Sequence, residues 1–336
     1  MVFPPIARRC LPLALAAAAL LGGAAAGPAA ADDHELRVVT SIKPVHSLVS
    51  AVMAGVGEPH LIIRGHASPH TFSMRPSDAE ALEDADVIFM IDDTMETAFA
   101  GPVEALAGDS RVVKLSEVPG LVLRRMREGG AFEEHDHGGH GGHDDHGHGG
   151  HDDHAEGHGG HGLYDMHLWL DPINGWTMAR SIAGALAEVD PANAANYEAN
   201  VDGLLQRLNR LTGEIAQQVA PARGVPFIVF HDAYRYFENR FGLTAAGSIV
   251  VSPERPPGAR RISELRDRVQ NMGVVCVFDE PQFDKGLVHT VIEGSDVRSG
   301  TVDPLGAGIE DGPELYFTLL HNMATAFADC LAPDEG

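Results

Sequence analysis

The sequence predicts an α/β fold in which two lobes, each built on a parallel sheet, are joined by one long helix. Short apolar runs alternate with helical segments in the first third of the chain, and the same alternation returns after residue 223. A single long helical pattern separates the two sets. The 305 residues after residue 31 suffice for two lobes.

Buried strands are predicted where four to six consecutive residues are mostly apolar. In the first set these are residues 36–40, 86–91 and 111–115, with helices at 45–54 and 78–85 between them. In the second set the strands are residues 225–230, 274–278 and 297–302, with a helix at 262–271.

The long helix is predicted between Asp190, which can cap it, and Pro221, which stops it. Its apolar side chains recur at three- and four-residue steps, which is typical of a buried helix face. They are Tyr197, Val201, Leu204, Leu205, Leu208, Leu211, Ile215 and Val219. We therefore expect a first lobe at 32–189, a linking helix at 190–220 and a second lobe at 221–336.

The first 31 residues have the pattern of a secretory signal peptide. Arg8 and Arg9 precede an apolar run at 11–26, and three alanines at 29–31 precede Asp32. The run is too short to span a bilayer stably, and no later segment is apolar for the required length. We expect a soluble exported protein, not inserted in the membrane, whose mature chain begins near Asp32.

Charge and cysteine content narrow the function and the compartment. Without the signal arginines, 22 basic and 48 acidic side chains give a formal charge of −26, so nucleic acid is an unfavourable partner and cations are attracted. Once Cys10 is removed with the signal, Cys276 and Cys330 remain in an oxidising compartment, and we predict that they form a disulfide. Two separate buried thiols are the alternative.

A low-complexity segment lies within the predicted first lobe. Residues 135–161 comprise ten histidines, ten glycines, six acidic residues and one alanine. Without large apolar side chains it cannot pack a core, whereas imidazole and carboxylate bind borderline divalent metals. We predict a disordered metal-collecting loop at 130–162, the alternative being a solvated linker. Its candidate ligands are His135, His137, His140, His143, His146, His148, His151, His154, His158 and His161.

Four further residues lie where predicted strands or turns end. They are His70, His167, His231 and Asp303, separated by 97, 64 and 72 residues. In open α/β sheets, ligands bind beyond the carboxyl ends of the strands, so the fold could bring residues from both lobes to one site. A single histidine near a strand end is more often structural, and an aspartate before proline is usually part of a turn.

Several motifs resemble those of the zinc-specific substrate-binding proteins of ABC importers, the ZnuA-like branch of the periplasmic metal-binding family. The matching stretches are Thr40-Ser41-Ile42-Lys43-Pro44, Pro69-His70-Thr71-Phe72, Met166-His167-Leu168-Trp169-Leu170-Asp171-Pro172, Phe230-His231-Asp232-Ala233-Tyr234, Glu280-Pro281-Gln282-Phe283 and Leu305-Gly306 after Asp303-Pro304. This resemblance covers the whole mature chain. It implies two α/β lobes with one metal in the cleft between them, a His-rich loop in the first lobe, and a cysteine pair in the second.

By motif match, the resemblance assigns the role of metal ligand to His70, His167 and His231. Some members carry a glutamate just before the first histidine, where this chain has Pro69, which leaves the fourth position to Asp303 or to water. We favour Asp303, because manganese-type relatives use an aspartate at the matching place. Glu280 and Asp232 are candidates to accept hydrogen bonds from the ligating rings.

The resemblance implies a periplasmic protein, expected to be monomeric, that captures Zn²⁺ and delivers it to the permease of an importer with a separate ATPase. The chain lacks the phosphate-binding loop of an ATPase. Three imidazoles and a carboxylate suit tetrahedral Zn²⁺ better than Mn²⁺. Manganese or broader divalent-metal import is the nearest alternative, followed by a periplasmic zinc buffer. A zinc hydrolase is disfavoured because no catalytic HExxH spacing occurs, so we expect no enzymatic activity.

Overall fold

The structure is a computed structural model that describes residues 35–127, 132, 164–250, 253, 257–271 and 273–332. The predicted signal peptide at 1–31 and the ten histidines of the predicted loop lie outside the described residues. From Leu36 onward the chain forms one compact unit. Within the described residues, no helix combines the length and the apolar composition needed to cross a membrane.

The first sheet has four parallel strands in the order β2-β1-β3-β4. All residues of its two central strands are buried, as expected for a parallel sheet covered on both faces. The strands are β1 (Val38–Ile42), β2 (His60–Ile63), β3 (Val87–Met90) and β4 (Arg111–Lys114). The helices that connect them are α1 (Lys43–Val52), α2 (Pro76–Glu83) and α3 (Thr97–Leu106).

A two-stranded antiparallel ladder follows the first sheet. It pairs β5 (Arg124–Arg125) with β6 (Tyr164–Asp165). The predicted His-rich loop therefore leaves and rejoins the described chain at adjacent points, and the returning strand leads directly to His167.

The second sheet is also parallel, in the order β10-β9-β7-β8. Its strands are β7 (Phe227–Val229), β8 (Ala245–Ser248), β9 (Cys276–Asp279) and β10 (Arg298–Thr301). Its helices are α6 (Arg235–Phe241), α7 (Ala259–Asn271) and α8 (Gly286–Ile292). The predicted α/β fold with two parallel sheets is confirmed, although β2 and β8 were not predicted.

The two sheets share one topology. In each, the first strand pairs with the second on one side and with the third on the other, so the chain reverses its direction of winding between first and third strands. At such a point the connecting segments diverge and leave a crevice beyond the carboxyl ends of the strands. In the second sheet this crevice lies beyond β7 and β9.

Two long helices lie between the sheets in the sequence, α4 (Pro172–Val189) and α5 (Ala194–Gln218). The predicted helix at 190–220 corresponds to α5, which has 25 residues. Asp190 and Pro191 begin a 3₁₀ turn, Pro191–Asn193, which runs directly into α5 at Ala194. The Asp190 carboxylate there accepts hydrogen bonds from the Tyr197 hydroxyl and the Asn193 amide.

The C-terminal helix α9 (Leu315–Leu331) joins the two halves, and it was not predicted. Near its start, the Tyr316 backbone N–H donates to the Ser47 hydroxyl of α1 at 2.9 Å. Near its end, the Phe327 ring packs on Phe227 and Phe278 of the second sheet, with ring centroids 5.3 and 4.9 Å apart. One hydrophobic core thus runs through both sheets and the helices α1, α4, α5 and α9.

The predicted disulfide between Cys276 and Cys330 is confirmed, and it ties the end of α9 to β9. The bridge closes a segment with a sequence separation of 54 residues. On the chain-entropy model, a loop of this size stabilises the folded state by roughly 4 kcal/mol.

Glu96 is a fully buried carboxylate just before α3. Its Oε2 accepts hydrogen bonds from the backbone N–H groups of Ile91 and Asp92, at 2.8 and 3.0 Å. Burial raises the pKa of Glu96 to about 7, although the neighbouring Ser41 hydroxyl and these amides oppose the shift. The ordinary pKa of a glutamate is 4.5. Between pH 4.5 and 7, the Glu96 carboxyl is therefore protonated in the folded protein and ionised in the unfolded chain.

We predict that Glu96→Gln reduces the pH dependence of stability in that window. A raised carboxyl pKa makes the wild-type protein lose stability as the pH rises from 4.5 to 7, and the neutral amide removes this loss. In urea unfolding of the zinc-free protein, the fall in unfolding free energy from pH 5 to pH 8 should shrink by about 2 kcal/mol. Glu104→Gln, at an exposed position of α3, is the matched control. Identical pH profiles for the two variants would contradict the prediction.

Candidate metal site

The candidate site lies beyond the carboxyl ends of the central strands of the second sheet. His231 follows β7 by two residues, and Glu280 comes directly after β9. His167 comes from the other half of the molecule, between β6 and the 3₁₀ turn Leu168–Leu170. His70 lies in the turn after β2, where its backbone N–H donates to the Ser68 hydroxyl at 3.3 Å.

The structure brings together the three predicted histidine ligands. Their ring centroids are 5.2 to 6.0 Å apart, and one ligand atom from each lies within 4.8 Å of the others. The Nε2 atoms of His167 and His231 are 3.3 Å apart. Two nitrogens at about 2.05 Å from a tetrahedral zinc ion are separated by about 3.3 Å, so this pair already has the spacing of two zinc ligands. Among the described residues, these three form the group with metal-binding geometry.

Two carboxylates orient two of these rings. The Nδ1 of His167 lies 2.7 Å from Asp165 Oδ1, and the Nδ1 of His231 lies 2.6 Å from Glu280 Oε1. A carboxylate only accepts hydrogen bonds, so each Nδ1 carries the hydrogen and each Nε2 faces the site. This arrangement fixes the tautomer that a metal requires and makes the ligand nitrogen more basic.

The pKa values of His70 and His231 are shifted in opposite directions. Burial, together with the smaller effects of the neighbouring His167 and His231, lowers the pKa of His70 to about 3. Burial also acts to lower the pKa of His231, but the carboxylates of Glu280, Asp232 and Asp165 together raise it above the ordinary value. The cavity wall is otherwise largely apolar and favours neutral imidazoles. Its apolar members are Pro69, Met95, Trp169, Phe283, Pro304 and Leu305.

Asp303 does not join the histidine group. Its Oδ1 accepts hydrogen bonds from the Gln282 amide at 2.8 Å and from the backbone N–H groups of Leu305 and Gly306. Its Oδ2 accepts one from Ala307. The carboxylate thus organises the turn that follows β10, and its role as the fourth ligand stays a prediction.

The segment after Asp303 is also held from the first half of the chain. Lys43, which is 4% exposed, donates to the Ile309 carbonyl at 2.7 Å and forms an ion pair with Asp311 at 3.0 Å. The indole N–H of Trp169 donates to the Pro304 carbonyl at 2.7 Å. Two residues from motifs that suggested the family therefore position one wall of the cavity.

The two carboxylates that were predicted to accept hydrogen bonds from the histidine rings have different surroundings. Glu280 accepts from His231 as expected, whereas Asp232 pairs with Arg127 and contacts no histidine ring by hydrogen bond within the described part of the chain. Sequence reasoning missed Asp165. Its spacing was a usable signal, because residues two apart on an extended segment lie on the same side, as Asp165 and His167 do.

Arg127 connects the base of the predicted His-rich loop to the second half of the molecule. Its guanidinium forms hydrogen bonds with both Asp232 oxygens and with both Glu238 oxygens, at 2.5 to 3.0 Å. Glu238 is 2% exposed, and burial raises its pKa while Arg127 acts in the opposite direction. Asp232 is the neighbour of His231 in the sequence, so this ion-pair network adjoins the site.

The family model and the most similar relatives point to the same protein family. Residues 38–330 match the model of the family described as "Zinc-uptake complex component A periplasmic". A relative from Brucella suis, named high-affinity zinc uptake system protein ZnuA, is 51% identical over 305 residues, covering 88% of this chain and 91% of that protein. A relative of the same name from Paracoccus denitrificans is 37% identical over 305 residues, covering 89% and 92%.

Solved structures share the fold. A zinc-bound ZnuA deletion mutant aligns with a TM-score of 0.70 at 23% identity, covering 89% of this chain and 99% of the other. The laminin-binding protein of Streptococcus agalactiae aligns with a TM-score of 0.68 at 23% identity, covering 88% and 99%. At this level of identity the likeness concerns the architecture.

We predict that Arg127→Met destabilises the protein by about 3 kcal/mol, because it leaves two acidic groups partly buried without a positive partner. Urea unfolding of the zinc-free protein measures the change. Arg125→Met, at an exposed position two residues away, is the matched control and should change stability by less than about 0.5 kcal/mol. Adding Glu238→Gln to Arg127→Met should restore part of the loss. Equal stabilities of the two arginine variants would contradict the prediction.

Proposed function

This chain belongs to the family of periplasmic zinc-uptake complex component A proteins, and we propose that it captures Zn²⁺ and delivers it to an ABC-type importer. His70, His167 and His231 are the proposed ligands of the transported ion. The observation that carries this assignment is the convergence of three imidazoles from distant parts of the chain, two of them with facing Nε2 atoms.

The donor set favours zinc among the divalent metals. Neutral imidazole nitrogens suit Zn²⁺, whereas Mn²⁺ and Mg²⁺ prefer more oxygen ligands and higher coordination numbers. Burial holds His70 in the neutral, ligating form over the physiological pH range. The carboxylates of Asp165 and Glu280 add negative charge next to the ligands without occupying their Nε2 atoms. A divalent cation therefore enters a site that is already oriented for it.

We further propose the rest of the transport pathway. Residues 1–31 form a signal peptide cleaved near Ala31, and the mature protein is a periplasmic monomer. Its lobes at 32–189 and 221–336, joined through 190–220, dock on a permease whose ATPase supplies the energy. The loop at 130–162 collects zinc weakly and rapidly, because its sequence combines many histidines with glycine and no large apolar side chain between residues 135 and 161. The protein carries out no chemical reaction on its cargo.

We predict that His70→Ala/His167→Ala/His231→Ala abolishes the tight zinc site, whereas deletion of residues 135–161 removes only weak sites. The physical reason is that carboxylates orient two of the cleft histidines, whereas the low-complexity composition of the loop favours weak binding. Isothermal titration with a competing chelator measures both classes of site.

The control for this experiment is His66→Ala/His289→Ala, which removes two exposed histidines that are not members of the cluster. It should bind zinc like the wild type. Thermal unfolding of each zinc-free variant verifies that it folds. A triple variant that folds and keeps the tight site would show that the cleft assignment is wrong.

We also predict that the affinity of the cleft for Zn²⁺ is at least about 100 times its affinity for Mn²⁺, because zinc binds nitrogen donors more strongly. A competition titration followed by the electron paramagnetic resonance of free Mn²⁺ measures the ratio. Comparable affinities for the two ions would instead support general divalent-metal import.

A further inference from the structure

Two buried oxygens at the candidate site accept no hydrogen bond from the described protein atoms. They are Glu280 Oε2 and Gln282 Oε1. Both residues line the cavity that contains the three histidine rings. Glu280 already accepts from His231 through its other oxygen, and after burial it is the next cause of the raised pKa of the Tyr234 hydroxyl. The carbonyl oxygen of Gln282 accepts no hydrogen bond within the described part of the chain, although a buried polar atom normally has a partner.

The direction of the Gln282 amide is determined by its neighbour. Its Nε2 donates to Asp303 Oδ1 at 2.8 Å, and a carboxylate can only accept. The nitrogen must therefore face Asp303, which directs the carbonyl oxygen away from it. Asp303 is itself fixed by the three backbone N–H groups of residues 305–307.

The turn that carries Gln282 is held in place. It begins at Glu280 and closes through the Phe283 backbone N–H, which donates to the Glu280 carbonyl at 3.2 Å. The Phe283 ring stacks on Phe230, with centroids 4.8 Å apart and planes 7° apart. Phe230 directly precedes His231, so the turn and this histidine are positioned by the same packing.

We propose that Gln282 is a positioning residue that holds a zinc-bound water molecule as the fourth ligand, with Asp303 orienting the Gln282 amide. This inference rests on the proposed function and specifies the coordination of the ion. Three imidazoles leave one position of a tetrahedral Zn²⁺ open. Water bound there is acidified by the metal and becomes a strong hydrogen-bond donor, for which a buried amide oxygen is a matched acceptor.

Direct binding of either side chain to the metal is less favourable. Zinc in proteins is bound by thiolate, imidazole or carboxylate, while amide oxygens suit harder cations such as Ca²⁺. Asp303 is not part of the histidine group, and its carboxylate already accepts hydrogen bonds from Gln282 and from the turn after β10. A water molecule completes the site without disturbing those contacts.

The test compares the full-length protein with Gln282→Leu, which removes the acceptor, and with Gln206→Leu, the same substitution at an exposed position of α5. We expect Gln282→Leu to weaken zinc binding by 10- to 100-fold, the range for lost partners of metal ligands. Gln206→Leu should bind like the wild type. Zinc-free thermal unfolding shows whether each variant folds.

The cobalt-substituted proteins separate a metal-directed role from a structural one. The visible spectrum of Co²⁺ reports its ligands, and azide competes with a bound water. We expect azide to bind the Co²⁺ form of Gln282→Leu at lower concentration than that of the wild type, because its water is no longer held. A change in zinc affinity without this change in azide binding would overturn the proposal.

A crystal structure of the zinc-bound wild type completes the test. We expect a solvent oxygen within about 2.2 Å of the zinc ion and within about 3.2 Å of Gln282 Oε1. Asp303 or Gln282 bound directly to zinc would overturn this inference while leaving the proposed function intact. The proposed function itself fails if the folded triple-histidine variant retains tight zinc binding.

Discussion

The structure depends on a hydrophobic core that is continuous between its two parallel sheets. α5 and α9 both take part in this core, and α9 contacts α1 at one end and the second sheet at the other. Burial of this apolar surface holds the sheets in a fixed relation, because separating them would expose large aromatic side chains to water. The disulfide from Cys276 to Cys330 reinforces the same contact at its far end.

This fixed relation explains how histidines so distant in sequence meet. His231 lies beyond a strand of the second sheet, and His167 lies beyond the short ladder of the first half. Three metal ligands on a flexible chain would lose conformational entropy on binding, whereas here folding has already ordered them. If these histidines bind the metal as proposed, the packing of the helices contributes to its affinity, although none of the three lies in an α-helix.

Helix α6 adds a polar contact between the two halves, close to the site. Arg240 forms a two-pronged ion pair with Asp171, which caps α4, at 2.7 and 2.8 Å. The Tyr236 hydroxyl donates to the Asp165 carbonyl at 2.7 Å, next to the carboxylate that orients His167. Any motion that separates the halves must break these contacts as well as expose the core. These contacts therefore hold the two halves together beside the residue that orients His167.

The sequence was sufficient for the fold class, because buried parallel strands are continuous apolar runs and α5 has an uninterrupted apolar face. It was insufficient for β8, because the Ala-Ala-Gly-Ser sequence of this strand has little hydrophobic signal. It was also insufficient for the 3₁₀ turn Pro191–Asn193 before α5, because proline fits both a helix start and a turn. The three histidines were predicted to share one site from the family resemblance, not from periodicity. Spacing alone gives no distance between residues 64 or 97 positions apart.

The roles of the acidic residues around the histidines were harder to predict, for a physical reason. A carboxylate before a proline, such as Asp303, can bind a metal or accept backbone hydrogen bonds, and only the folded backbone decides between them. Here its four acceptor contacts define a turn. The same ambiguity applied to Asp232, which pairs with Arg127, a residue 105 positions away. Long-range partners of this kind leave no local pattern in the sequence.

A cage of three imidazoles and one solvent molecule also suits a protein whose cargo must leave again. Closed sites with four protein ligands are typical of structural zinc, whereas sites that exchange a ligand keep one position for solvent. An incoming group can replace the water without first detaching a side chain that the fold holds in place. Affinity would then come from the three buried rings and their carboxylates, and exchange from the fourth position. The two requirements of a carrier, tight capture and later release, are thereby assigned to different ligands of the same ion.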